Sequence, residues 1–97
     1  MTDRNAVRRQ WRFYGLVQGV GFRWRACRAA RAAGATGWVR NERDGSVTVE
    51  IQGTPEQLDS VMQSLHRGLY IRIERVDERL IPLAGDERDF TARDDAW

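Results

Sequence analysis

A chain of 97 residues, 41% hydrophobic and 31% charged, has room for one domain around one modest core. A single cysteine and a single histidine exclude an internal disulfide, a cysteine- or histidine-based metal centre and a histidine pair, so neither metal nor other cofactor is expected. All the basic residues are arginines; residues 1–43 hold ten of them against two acids and residues 44–97 six against twelve, so a chain of net charge +2 has a positive first half suited to an anionic ligand.

No stretch has the apolar length needed to span a bilayer, and the N-terminus lacks the apolar core of a signal peptide. The composition therefore predicts a cytoplasmic protein with no membrane partner. Residues 1–9 are polar, carry Arg4, Arg8 and Arg9, and read as a flexible tail. The rest of the 1–97 chain reads as one domain.

Trp11, Phe13, Gly15 and Val17 alternate with Arg12, Tyr14 and Leu16, the period of a first strand. The next stretch, Gly15-Leu16-Val17-Gln18-Gly19-Val20-Gly21-Phe22-Arg23, is the centre of the sequence. Glycine permits φ > 0 and brings backbone N–H groups close to a ligand. Successive N–H groups turned inward form an anion-binding concavity. A following helix adds unsatisfied donors and the positive end of its dipole. Arg23 contributes a planar fork that matches phosphate oxygens.

Phe22, Ala26, Ala29, Ala30 and Ala33 repeat at helical spacing, and Gly34 closes that helix. Arg25, Arg28 and Arg31 fall on its solvated side. Cys27 borders the alanine face as a small structural residue, and Trp24 reads as a buried or half-buried anchor. Thr36 to Glu42 is a second strand, with Gly37, Val39 and Asn41 on one face and Trp38, Arg40 and Glu42 on the other. Asp44-Gly45 signals a hairpin turn. Val47, Val49 and Ile51 alternate with Thr48, Glu50 and Gln52 in a third strand. Thr54-Pro55-Glu56-Gln57 is a helix start with a capping box. Leu58, Val61, Met62 and Leu65 supply that helix's apolar stripe, and Gly68 stops it. Tyr70 to Leu80 is a fourth strand; Val76 falls out of phase with Ile71 and Ile73, which predicts a bulge near Glu74-Arg75. Phe90 to Arg93 is a short fifth strand at an edge. Asp94-Asp95 reads as a solvated charge pair in a tail.

The order βαββαβ predicts a ferredoxin-like α+β sandwich, a four- to five-stranded mixed sheet with two helices on one face. In that topology the first and second strands run parallel with the third between them. The glycine loop and Asn41 then share one end of the sheet, roughly 10 Å apart. An arginine side chain and one phosphoryl group fill such a gap. Asn41 carries both a donor and an acceptor, which suits holding a water, but it is no base. The chemistry is then confined to substrates with a good leaving group, such as a carboxyl-phosphate anhydride.

Gly15-x-Val17-Gln18-Gly19-Val20-x-Phe22-Arg23, followed by Gly37-Trp38-Val39-Arg40-Asn41, resembles the two-part signature of the acylphosphatase family, and the likeness runs from about Trp11 to Phe90. The resemblance implies hydrolysis of acyl phosphates to a carboxylate and inorganic phosphate without a metal. It implies Arg23 and Asn41 as catalytic residues and the backbone of Gly15, Leu16, Val17, Gln18, Gly19, Val20, Gly21 and Phe22 as the phosphate loop. Inorganic phosphate or sulfate would compete for the same site, and a monomer is expected.

Other phosphatase chemistries lack their parts. A cysteine phosphatase needs an arginine six residues after its cysteine, and Ala33 stands there. No lysine exists for a Walker motif. Two alternatives remain. A ferredoxin-like domain with a basic half can bind RNA, but Ser46-Val47-Thr48-Val49-Glu50-Ile51 offers no aromatic platform, and the second half is acidic. The chain can also be a module of a carbamoyl-transfer maturation protein. An initiator methionine, an end soon after the last strand, and Trp24 where that module carries proline favour a free-standing protein.

Overall fold

The computed structural model describes residues 5–95. The elements follow in the order β1 (Val7–Leu16), α1 (Phe22–Ala33), β2 (Thr36–Asn41), β3 (Val47–Gly53), α2 (Pro55–His66), β4 (Arg72–Ile81) and β5 (Phe90–Ala92). The sheet order is β4-β1-β3-β2-β5. β3 lies antiparallel to both β1 and β2, so those two run parallel with β3 between them, as the ferredoxin-like expectation requires.

Both helices cover one face. Alternation along the strands aims Trp11, Phe13, Val39, Val47, Val49 and Ile51 at that face, where all are buried. The helices answer with Phe22, Ala26, Cys27 and Ala30 from α1 and Leu58, Val61 and Leu65 from α2. Phe13 and Phe22 meet with ring centroids 4.9 Å apart. Burying each such ring is worth roughly 2–3 kcal/mol, and this contact ties the end of β1 to the first turn of α1. Ala26 and Ala30 are fully buried, and their small side chains let α1 lie close to the sheet.

β1 starts at Val7, inside the stretch whose polar composition suggests a tail. Charge holds that part of the strand in place. The Arg8 guanidinium lies 2.7 Å from Glu87 and 3.3 Å from Glu50 and is 5% exposed. Residues 7–9 are therefore strand and not tail, and residues 1–4 of that expectation lie outside the described residues.

Two features at the sheet edges position the site. Tyr14 pairs with Arg75 and Gly15 with Ile73, so Glu74 is the extra residue of a bulge in β4, where the phase of Val76 placed it. β5 runs parallel to β2 at the opposite edge, and its ladder continues as Arg93 N–H donates to the Val39 carbonyl at 2.8 Å. The chain beyond β5 thus heads for the same end of the sheet as Asn41.

Candidate active site

The loop from Val17 to Gly21 joins β1 to α1 at that end. Val17 and Phe22 are buried and fix its two ends. Gly19 and Gly21 have φ 73° and 80°. A Cβ at either would meet nothing within 4 Å. Their requirement is the left-handed backbone and not space. Gly15 and Leu16, expected in the loop, belong instead to β1, where they pair opposite Ile73 and Arg72. A Cβ on Gly15 would run into the β4 backbone at Arg72 and Glu74, so this glycine serves the bulge.

Gln18 has a part that the motif alone does not reveal. Its side-chain amide donates to the carbonyls of Glu42, at 2.7 Å, and Ser46, at 2.9 Å. Those residues flank the β2–β3 hairpin directly after Asn41. Gln18 therefore ties the loop that precedes Arg23 to the strand that carries Asn41.

The two helix starts differ. Thr54 and Gln57 close a complete capping box on α2, and Glu56 adds an acid in its first turn. α1 begins at Gly21 with no side-chain cap and no acid in its first turn. Its first N–H groups and the positive end of its dipole are left for an anion.

Val17, Gly19, Gly21, Phe22, Arg23 and Asn41 line one cavity of about 220 Å³, with Trp24 at its mouth. Trp24 is 64% exposed and is no buried anchor; residue 24 faces away from the core because Phe22 and Ala26 already take α1's inner side. Arg28 sits over its ring, 4.8 Å from the centroid. Asn41 is 7% exposed, yet its carboxamide makes no hydrogen bond with any described residue. The amide atoms are not sealed from solvent, so they stay open to a ligand or a water. Here the cavity is where its partner would sit.

Arg23 is engaged. Its Nη1 lies 2.9 Å from an Asp95 carboxylate oxygen and 3.5 Å from the Arg93 carbonyl. The solvated Asp94-Asp95 pair of the sequence reading is corrected at Asp95, because the parallel β5 delivers that residue to the guanidinium. A carboxylate oxygen thus occupies a position on Arg23 that an anionic ligand must take over. The pair is about one third exposed on each side, and exposed pairs are worth about 0–1 kcal/mol. Asp95→Asn is therefore expected to tighten inorganic phosphate binding by up to about fivefold at low salt, with the gain shrinking as salt rises. Calorimetric titration of both proteins checks this; weaker binding by the variant would show that Asp95 orders Arg23 and does not compete for it.

The other titratable side chains near the site are accounted for elsewhere. Glu42 points to the far face. Burial works against its carboxylate, but hydrogen bonds with Thr48 and Arg40 prevail and hold its pKa below the usual range. Trp38 lies on that face too, flanked by the guanidinium groups of Arg40 and Arg93. Burial pushes the Cys27 thiol up, which removes its nucleophilic form at neutral pH.

Known proteins share this sequence pattern and fold. The acylphosphatase family model matches residues 9–92. An acylphosphatase of Thermococcus kodakarensis is 47% identical over 72 residues, covering 73% of this chain and 79% of that protein. An acylphosphatase of Leuconostoc mesenteroides is 43% identical over 82 residues, covering 82% and 90%. The solved structure of an acylphosphatase from Coxiella burnetii superposes with a TM-score of 0.81 at 28% identity, covering 92% of this chain and 94% of that one.

Proposed function

Because the chain belongs to the acylphosphatase family, we propose that it hydrolyses acyl phosphates to a carboxylate and inorganic phosphate, with Arg23 and Asn41 as its catalytic residues. The observation that carries this reading is the Asn41 carboxamide, which bonds to no described residue and lines the same cavity as Arg23.

Loop N–H groups from Val17 to Gly21, the first turn of α1 and Arg23 hold the phosphoryl oxygens and follow their growing charge. Arg23 exchanges Asp95 for the substrate as it does so. The Asn41 carbonyl oxygen accepts a hydrogen bond from a water and orients it, while its N–H₂ donates to a phosphoryl oxygen. The water oxygen bonds to phosphorus as the bond from phosphorus to the acyl oxygen breaks, in line. The electron pair leaves with the carboxylate, which needs no proton. The water's proton passes to the phosphate or to solvent. No group with the strength of a general base is required, and this confines the enzyme to anhydrides.

We also read the protein as a cytoplasmic monomer whose partner is a small acyl phosphate. The lone Cys27 fits a reducing compartment. No helix among the described residues is long and apolar enough to cross a membrane. On the sheet face away from the helices β3 presents Thr48, Glu50 and Gln52, with no aromatic side chain for a base to stack on.

The direct test is release of inorganic phosphate from benzoyl phosphate and from phenyl phosphate, each with and without a chelator. Hydrolysis of the anhydride alone, at a rate indifferent to the chelator, is expected. Cleavage of the ester at a comparable rate would demand an acid for the leaving group and would sink the mechanism.

A further inference from the structure

α1 carries the arginines Arg23, Arg25, Arg28 and Arg31 and no acid. Two of them are matched by carboxylates, Arg23 by Asp95 and Arg31 by Asp89. Arg25 and Arg28 meet no carboxylate among the described residues, and they stand together. With Trp24, Ala29, Ala32 and Ser64 they line a groove of about 400 Å³ between α1 and the end of α2. Both are held in place. Arg25 Nε donates to the Ser64 carbonyl at 2.6 Å, which leaves the two terminal nitrogens of its guanidinium without a bond to any described residue. Arg28 lies over the Trp24 ring, and Trp24 is also a wall of the phosphate cavity. Guanidinium groups already anchored lose less freedom when they bind, and their planar forks match carboxylate and phosphate oxygens.

We propose that this groove reads a second anionic group, a carboxylate or a phosphate at the far end of the substrate's acyl group. The inference rests on the acyl phosphate reading and names a substrate class within it: acyl phosphates that carry a second anion. Arg23 and the glycine loop are taken by the phosphoryl group, so a second anion has to find its cations outside the phosphate cavity. Arg25 and Arg28 are cations of the same helix without a counter-charge. The span also fits. At 1.5 Å of rise per residue, Arg28 stands about 7.5 Å along α1 from Arg23. An acetyl group ends short of that, whereas a benzoyl group with a para carboxylate reaches it past the shared Trp24 wall. A contact so far from the reacting bond is the same in the ground and transition states, so it acts on KM.

The test compares 4-carboxybenzoyl phosphate with benzoyl phosphate, which differ by one distal carboxylate. Wild type should favour the carboxylated substrate about threefold to tenfold in kcat/KM at low salt, and less as salt rises. Arg28→Gln should remove most of that preference, through KM. Arg28 is exposed, so the fold does not depend on it, and thermal unfolding verifies this. Arg31→Gln removes the same charge from the same helix outside the groove and should keep the preference. Calorimetry with the two corresponding phosphonates, which cannot be hydrolysed, reads the same preference without turnover. A preference in phosphonate binding that Arg28→Gln loses, without turnover of either phosphate, would uphold the subsite and overturn the hydrolytic reading. Turnover of both phosphates without a preference, or with an equal loss in Arg28→Gln and Arg31→Gln, would overturn the subsite alone. Saturable inorganic phosphate binding that survives Arg23→Ala and disappears in Arg23→Ala/Arg28→Gln would place a free anion in the groove and overturn the substrate-borne one.

Discussion

Arg23→Ala is expected to lower kcat/KM for an acyl phosphate by about 10³-fold or more, the scale on which an arginine stabilises a transferring phosphoryl group. Among the described residues that line the phosphate cavity, Arg23 alone is charged. The loss should extend to the product. Inorganic phosphate that binds the folded protein alone raises stability by about 2.7 kcal/mol at a hundredfold excess over Kd. For a chain of this size that is a rise in Tm of roughly ten degrees or more. Phosphate and sulfate also strengthen apolar burial without binding, an effect that does not saturate. Arg23→Ala should keep that unsaturable part and lose the saturable one. The variant itself should fold normally, since Arg23 gives up only the partly exposed pair with Asp95 and a long contact with the Arg93 carbonyl. Equal, saturable stabilisation of both proteins across a phosphate titration would show that the glycine loop is a turn and not an anion site.

Asn41→Ala should divide the two roles. Phosphate affinity should hold within a few-fold, because the loop and Arg23 remain, while kcat falls by roughly 10²- to 10⁴-fold with the loss of the group that orients the water. Stability offers an independent check. Removing a buried side chain that has internal bonds destabilises; removing one whose amide bonds to no described residue should leave Tm unchanged or raise it. Asn41→Asp keeps the shape but places a carboxylate beside the phosphoryl group, and should weaken phosphate binding as well as turnover. If Asn41→Ala loses phosphate affinity as fully as Arg23→Ala does, the division between holding the phosphate and placing the water is wrong.

Much of this protein is legible in local sequence. Period-two alternation in Val47-Thr48-Val49-Glu50-Ile51 and the 3.6-residue spacing of Phe22, Ala26 and Ala30 are enforced by burial on one face, so pattern and element coincide. The capping box at Thr54-Gln57 and the Asp44-Gly45 turn are short-range hydrogen-bond and dihedral preferences that need no distant partner. Even the β4 bulge shows, as one step out of phase at Val76. The βαββαβ order then places Arg23 and Asn41 at one end of the sheet, because two strands that flank a common antiparallel neighbour must run the same way. What the chain order does not carry is which side chains meet across that end. Gln18 reaches the hairpin carbonyls 24 and 28 residues away. Asp95 meets Arg23 across 72 residues, through a three-residue edge strand too short to set a periodic signal. Gly15 belongs to the bulge and not the loop because β4 presses against it, a contact made much later in the chain at Arg72. Tyr70, read from the sequence as the start of the fourth strand, lies just ahead of β4, and the antiparallel pairing of β4 with β1 brings it to the end of the sheet that holds the phosphate cavity. Local preferences act over one turn or one strand, whereas these contacts depend on strand order and register, which only the packed sheet fixes.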